Sequence, residues 1–234
     1  MKYTAIVLAA GKGSRMNSSI SKQYIELGGF PLIYYSLQAF EHSRVDDVVL
    51  VAGQDETDFC RSHIVEKYGF HKVRQIVAGG SERYLSVYQG LCAADNPDVV
   101  LIHDGARPFV TQEIIERTIE AAVKHGSGIA AVRAKDTVKI ADDEQYSVQT
   151  PARDHVWMMQ TPQTFLYSDI RSAYEKVIAG NAQQVTDDAM VMEVAFGRSV
   201  KLVEGNYRNI KVTTPEDLEI ADLFVKKLKL GIDM

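Results

Sequence analysis

The chain has 234 residues, 46% hydrophobic and 24% charged, with a net charge of −5; it is long enough to bury a substantial core as one domain. The acidic balance excludes a general nucleic-acid binder, and no apolar run approaches the roughly 20 residues that span a bilayer. Two distant cysteines, Cys60 and Cys92, match neither a disulfide framework nor a zinc site and read as small buried residues of a reducing compartment.

The N-terminal segment lacks the sections of a signal peptide, so the expected location is the cytoplasm, with no membrane partner. Thr4–Leu8 is an apolar run that reads as a buried strand. It leads into Ala9-Ala10-Gly11-Lys12-Gly13-Ser14-Arg15-Met16, with Ser21-Lys22-Gln23 close behind. Glycine tolerates positive φ and has no Cβ, so backbone N–H groups can approach an anion. Ringed by Lys12, Arg15 and Lys22, such a turn suits a polyphosphate; the alternative is a plain strand-end turn with solvated cations. GxxxxGK[ST] is absent, which excludes a P-loop ATPase, and Met16 replaces the third glycine of the dinucleotide fingerprint, which excludes a dehydrogenase.

Further strands are expected at Val48–Ala52, Val73–Ala78, Val99–His103 and Gly128–Val132. Amphipathic helices are expected at Leu32–Phe40, Thr57–Tyr68, Tyr84–Ala93 and Gln112–His125, the last with Thr111 as N-cap. This alternation predicts an α/β fold, a Rossmann-like, mostly parallel twisted sheet with helices on both faces. Ligands on such sheets sit beyond the carboxyl ends of the strands, so Gly11 and Asp104 are expected at one edge.

Within this frame, Gly79-Gly80-Ser81-Glu82-Arg83, followed by Ser86, is a small-residue turn opening a helix. It either lets a flat base lie against backbone or serves as an ordinary N-terminal cap. His103-Asp104-Gly105-Ala106-Arg107 puts an acid at the end of an apolar strand. Asp104 either meets a divalent cation or a ribose hydroxyl, or pairs locally with Arg107 and organises the loop. His103 reads as a packed, hydrogen-bonded residue rather than a catalyst.

After Val132 the rhythm breaks. Lys135–Ile140, Gln145–Thr150 and Val156–Gln160 read as short strands around the polar turn Asp142-Asp143-Glu144, an arm over 134–160 within a single 1–234 domain. Its apolar face is buried either against a second subunit or against its own domain. Thr137 and Arg153 lie on the arm, and Thr161-Pro162-Gln163 follows it. Helices are expected at Ser168–Ala179 and Asp187–Val194, and strands at Val200–Val203 and Ile210–Val212. Lys211 emerges alone from the last of these, and Thr214-Pro215-Glu216-Asp217 caps a final helix.

Taken together, AAGKGSRM (Ala9–Met16), SKQY (Ser21–Tyr24), AGGSERYLSV (Ala78–Val87), HDGARPFV (His103–Val110), KDTVK (Lys135–Lys139), QTPQTF (Gln160–Phe165), TDDA (Thr186–Ala189) and NIKVTTPEDL (Asn209–Leu218) resemble the 2-C-methyl-D-erythritol 4-phosphate cytidylyltransferases. One departure is Val148–Met159, which carries QTPARDHVW in place of a valine-rich approach to the arginine. The resemblance implies a nucleotidyltransferase-type fold and CMP transfer from CTP to the polyol phosphate, releasing pyrophosphate in isoprenoid precursor synthesis. It implies Arg15 and Lys22 as transition-state cations beside Lys211, with Mg²⁺ on the triphosphate. It further implies nucleotide contacts from Ala9, Ala10, Gly11, Gly13, Gly80, Ser81, Ser86 and Asp104. Polyol-phosphate contacts fall to Asp104, Ala106, Arg107, Thr137, Arg153, Thr161 and Lys211, with Asp104 also a metal candidate. In the family the arm reaches across a homodimer. Ribitol 5-phosphate cytidylyltransferases share the loop and the HDG motif, and a nucleotide-binding subunit without chemistry is a reading of another class.

Overall fold

The computed structural model describes residues 1–11, 21–180 and 185–230; Lys12, Gly13, Ser14, Arg15 and Met16 lie outside them. In chain order, β1 (Tyr3–Leu8) leads to the glycine turn, after which β2 (Glu26–Leu27) and β3 (Phe30–Pro31) pair as a small hairpin before α1 (Leu32–Glu41). Next come β4 (Asp47–Ala52), α2 (Thr57–Phe59), β5 (Val73–Ala78), α3 (Arg83–Ala93), β6 (Val99–Asp104) and α4 (Gln112–His125). β7 (Ser127–Arg133) precedes a hairpin of β8 (Ile140–Ala141) and β9 (Ser147–Gln149), followed by β10 (Trp157–Leu166). α5 (Tyr167–Ala179), α6 (Asp188–Phe196), β11 (Leu202–Glu204) and α7 (Pro215–Lys229) complete the fold.

Seven strands form one sheet in the order β11-β7-β10-β6-β1-β4-β5. β10 is antiparallel to both its neighbours, while the other pairings are parallel. Both faces of the sheet are covered, which is why the interiors of β1, β4 and β6 (Ala5–Val7, Val48–Val51 and Val99–Ile102) are apolar. Side chains alternate across it: Ala5, Val7, Leu50 and Leu101 pack against Ile33, Leu37 and Phe40 of α1 and Ile115 and Ile119 of α4. Ile6, Val49, Val51, Val100 and Ile102 face the other way, onto Val87 and Leu91 of α3 and Ile170 and Tyr174 of α5. A third cluster joins Leu27, Leu32, Ala106, Phe109 and Val212 to Ala221 and Val225 of α7, tying that helix to the loop after β6.

Register decides where the loops gather. Leu8 lies opposite both Val51 and Asp104, and Ala52 opposite Ala78, so β1, β4, β5 and β6 end at one edge. Gly11 and Asp104 therefore meet there, as the strand pattern predicts, and Gly79 joins them. The expected caps are also present. Thr111 accepts from Ile114 N–H at 3.4 Å, and Thr214 and Asp217 form a reciprocal capping box with Pro215 in the first turn.

Several expected elements differ. Thr57–Tyr68 is not a plain α-helix, because Cys60–Glu66 winds as a π-helix. Lys135–Lys139 forms no strand; the β8–β9 ladder is short, and Asp142 Oδ1 closes its turn by accepting from the N–H groups of Glu144 and Tyr146 at 3.1 and 2.9 Å. Most of Val156–Gln160 belongs to β10, where Trp157–Met159 pair with Arg133–Ala131 of β7. Ile210–Val212 is not a strand either: Val212 N–H makes one bond to the Ala106 carbonyl at 2.8 Å, and no ladder follows. Cys60 is buried as expected, but Cys92 is exposed on the outer face of α3.

Candidate active site

The described end of the glycine motif, up to Gly11, is tied to the segment that resumes at Ser21. Gln23, itself buried, donates its side-chain amide to the carbonyls of Ala9 and of Gly11, the latter at 2.8 Å. On either side of Lys22, Ser21 and Tyr24 both donate to the Glu56 carboxylate, so the lysine's neighbours are fixed. Among the described residues a Cβ at Gly11 meets nothing within 4 Å, and its φ lies outside the left-handed region. Neither packing against the described residues nor backbone strain thus demands glycine there.

Across from it stands the turn between β5 and α3. A Cβ on Gly79 would collide with Ala10 and Ser86, so only glycine lets the two loops approach. Ser86 Oγ accepts from Gly80 N–H at 3.1 Å and donates to the Glu82 carbonyl at 3.0 Å, which fixes the turn without closing it.

Asp104 forms the floor. Its Oδ1 accepts from Arg83 Nε at 3.1 Å, and its Oδ2 lies 2.8 Å from Lys211 Nζ and 4.0 Å from Arg107 Nε. Burial opposes its charge, but Arg83, Lys211 and Arg107 outweigh it and hold the carboxyl far below the usual carboxylate range. Arg83 is anchored in turn by Asp188, whose oxygens accept its two terminal nitrogens at 2.9 and 2.8 Å. Tyr174 donates to the same Asp188 at 2.5 Å.

Behind the floor, Asp104 N–H donates to Thr161 Oγ1 at 3.1 Å, and that hydroxyl donates to His103 Nδ1 at 3.0 Å. His103 Nε2–H donates to the Arg107 carbonyl at 3.1 Å, since a carbonyl can only accept. Burial, only partly offset by Asp104, pushes this imidazole down to about 4, so it is neutral near pH 7. His103 is therefore a packed residue, as its sequence context suggests. Arg107 likewise turns inward, donating to the carbonyls of Asn209 and Met159 at 2.7 and 3.2 Å.

These parts enclose a cleft of about 1080 Å³, bordered by Ala10, Gly11, Lys22, Gly80, Ser81, Ser86, Asp104, Ala106 and Lys211. A smaller recess of about 260 Å³ adjoins it at Arg107 and Thr161. Ala9 is buried behind the loop. Gly13 and Arg15 are outside the described residues. Thr137 and Arg153 are exposed and border neither cavity; Arg153 donates to the Lys135 carbonyl at 3.2 Å. Three residues not assigned from sequence, Gln23, Arg83 and Asp188, organise the site. Each sits inside a family motif (SKQY, GGSER, TDDA), the one signal that pointed to them.

The arrangement also tests Asp104 as a metal ligand. Both of its oxygens already face cations, and among the described residues no group of three or more His, Cys, Asp or Glu gathers to hold an ion. A carboxylate neutralised in this way does not fit direct coordination of a divalent cation. The local-pairing alternative describes Asp104 better, with Arg83 and Lys211 as its closest partners. Chemically, the cleft offers backbone and small side chains for a flat base, with the cations Lys22, Arg83 and Lys211 on its border.

A family model described as 2-C-methyl-D-erythritol 4-phosphate cytidylyltransferase matches residues 3–227. A curated protein of that name from Lachnoclostridium phytofermentans is 46% identical over 226 residues, covering 97% of each chain. Another from Clostridium botulinum is 47% identical, covering 97% of this chain and 99% of its own. The crystal structure of 4-diphosphocytidyl-2C-methyl-D-erythritol synthase from Anaerococcus prevotii superposes with a TM-score of 0.86 at 40% identity, covering 96% of both chains.

Proposed function

The chain belongs to the 2-C-methyl-D-erythritol 4-phosphate cytidylyltransferase family, and we propose that its cleft transfers CMP from CTP to 2-C-methyl-D-erythritol 4-phosphate. A phosphate oxygen of the polyol phosphate attacks the α-phosphorus of CTP. The new P–O bond forms as the bond to the β-phosphate oxygen breaks, and pyrophosphate leaves. The nucleophile is already ionised near neutral pH, so no general base is needed; His103, occupied at both nitrogens, is not available as one. What remains is positioning and neutralisation of charge on the α-phosphate.

Lys22 and Arg15 are assigned to that charge, and Lys211 to the incoming phosphate. Ala10, Gly11, Gly80, Ser81 and Ser86 are assigned to the nucleotide, with Ala9 and Gly13 completing its loop. Asp104, Ala106, Arg107 and Thr161 shape the polyol-phosphate end. Magnesium bound with CTP would supply positive charge against the triphosphate; Asp104, already paired with Arg83 and Lys211, is not assigned to hold it. The observation that carries this reading is the placement of Lys22, Lys211, Gly11 and Gly80 on one cleft.

The β8–β9 hairpin leaves Ile140, Tyr146 and Val148 exposed, which supports burial of this arm against a second copy. Homodimerisation would carry Thr137 and Arg153 to the partner's cleft. The cytoplasm is the assigned location; among the described residues no helix is long and apolar enough to cross a membrane. Mass-spectrometric detection of the cytidine diphosphate polyol, with methylerythritol phosphate and ribitol 5-phosphate run side by side, tests the assignment. Product from the first alone is the expected result.

A further inference from the structure

A chain of charged side chains runs from the interior of the domain to the cleft and crosses four elements. Tyr174 of α5 donates to Asp188 at the start of α6, and Asp188 binds the guanidinium fork of Arg83 from the first turn of α3. Arg83 Nε then binds one oxygen of Asp104, leaving the other for Lys211. Asp188 is fully buried, and its carboxylate accepts three hydrogen bonds. A buried ion of this kind is stable only with complete partners, so it holds the fork in one orientation. We propose that Asp188, acting through Arg83, is a positioning residue that fixes which oxygen of Asp104 faces Lys211 and thereby where the polyol phosphate is received.

The geometry gives the reason. Arg83 reaches two carboxylates on separate elements because its donors form a rigid fork; an ammonium of the same charge serves only one of them well. Once Arg83 Nε is withdrawn, the Asp104 carboxylate is free to rotate and take Lys211 with both oxygens, drawing that cation away from an incoming phosphate. Asp188 lies behind Arg83, so its effect on the reaction passes through the arginine.

Charge and position predict opposite outcomes for Asp188→Asn. The substitution deletes a negative charge from a cluster of Arg83, Lys211, Arg107, Asp104 and Asp188, so charge alone predicts tighter binding of an anionic substrate. It also turns an amide donor toward the Arg83 fork and breaks the paired bonds, so positioning predicts weaker use of that substrate. We expect kcat/KM for the polyol phosphate to fall about tenfold or more, the scale on which supporting partners of a site act. The KM for CTP should stay within about twofold, because the Gly80 turn is held by Ser86 rather than by Arg83.

Arg83→Lys, which keeps the charge and lies at a partly exposed position, should give the same loss and is the decisive variant if Asp188→Asn does not fold. The double variant should be no worse than the single ones. An unchanged or raised kcat/KM for the polyol phosphate in a folded variant, or additive losses in the double variant, overturns the proposal. It rests on the function assigned above: a wild-type protein that never turns over the polyol phosphate refutes that function, whereas an active wild type with indifferent variants refutes only this lock.

Discussion

Lys211 Nζ lies 2.8 Å from Oδ2 of Asp104, so this cation on the border of the cleft is held by a carboxylate. Asp104 keeps Arg83 and Arg107 if the lysine is lost, but the cations repel one another uncompensated if the carboxylate is lost. Lys211→Met is therefore expected to fold, with turnover reduced by about 10²–10³, the scale for removing one electrostatic clamp. Asp104→Asn is expected to lose about 3–5 kcal/mol of stability, as when one partner of a buried pair is removed. Pyrophosphate release and urea unfolding measure the two effects; wild-type turnover in Lys211→Met contradicts its role.

Gly11 and Gly79 separate ligand space from packing. Gly11→Ala places a methyl group where none of the described residues lies within 4 Å, so unfolding should be unchanged while CTP binding weakens. Gly79→Ala drives a methyl group into Ala10 and Ser86, so it should lower stability by about 1–3 kcal/mol. Calorimetric titration with CTP and thermal unfolding of both variants decide it. A Gly11→Ala protein that binds CTP normally would show that the space is not used.

His103 supplies a pH dependence. Its folded value, about 4, is below the ordinary 6.5 because burial disfavours the imidazolium. The unfolded chain thus takes up a proton first as pH falls, and the stability of the native state declines between pH 6.5 and 4. The loss approaches about 3 kcal/mol at the acid end of that window. His103→Gln should flatten this part of the profile, measured as the urea midpoint at intervals from pH 7.5 to 4. Equal slopes in both proteins contradict the buried neutral state.

The arm makes a prediction about sharing. Lys22→Ala should fold yet lose about 10²–10³ in turnover, by the same clamp reasoning. If Thr137 serves the partner's cleft, mixing Thr137→Ala with Lys22→Ala restores activity, because one site of each heterodimer is free of both lesions. Absence of rescue despite verified subunit exchange argues against a shared site.

Much of this was legible in the sequence because central strands covered on both faces leave continuous apolar runs, as at Thr4–Leu8 and Val99–His103, and these fix the edge where Gly11 and Asp104 meet. Local caps such as Thr111 and Thr214 were legible for a related reason: their partners lie within a turn. Arg83 and Asp188 stand 105 positions apart, and no local pattern announces such a pair. Gln23 is similar, since its partners are carbonyls, which have no sequence identity. The π-helical winding of Cys60–Glu66 leaves apolar spacing close to that of an α-helix. The Ile210–Val212 run looks like a strand because its side chains are packed by α7, not because a ladder forms.

Quantifying pyrophosphate and cytidine diphosphate methylerythritol released from CTP, magnesium and 2-C-methyl-D-erythritol 4-phosphate tests the central claim most directly. Stoichiometric formation of both products, abolished in Lys22→Ala, is the predicted result. A folded wild-type protein that neither binds CTP nor releases pyrophosphate in the presence of the polyol phosphate contradicts it.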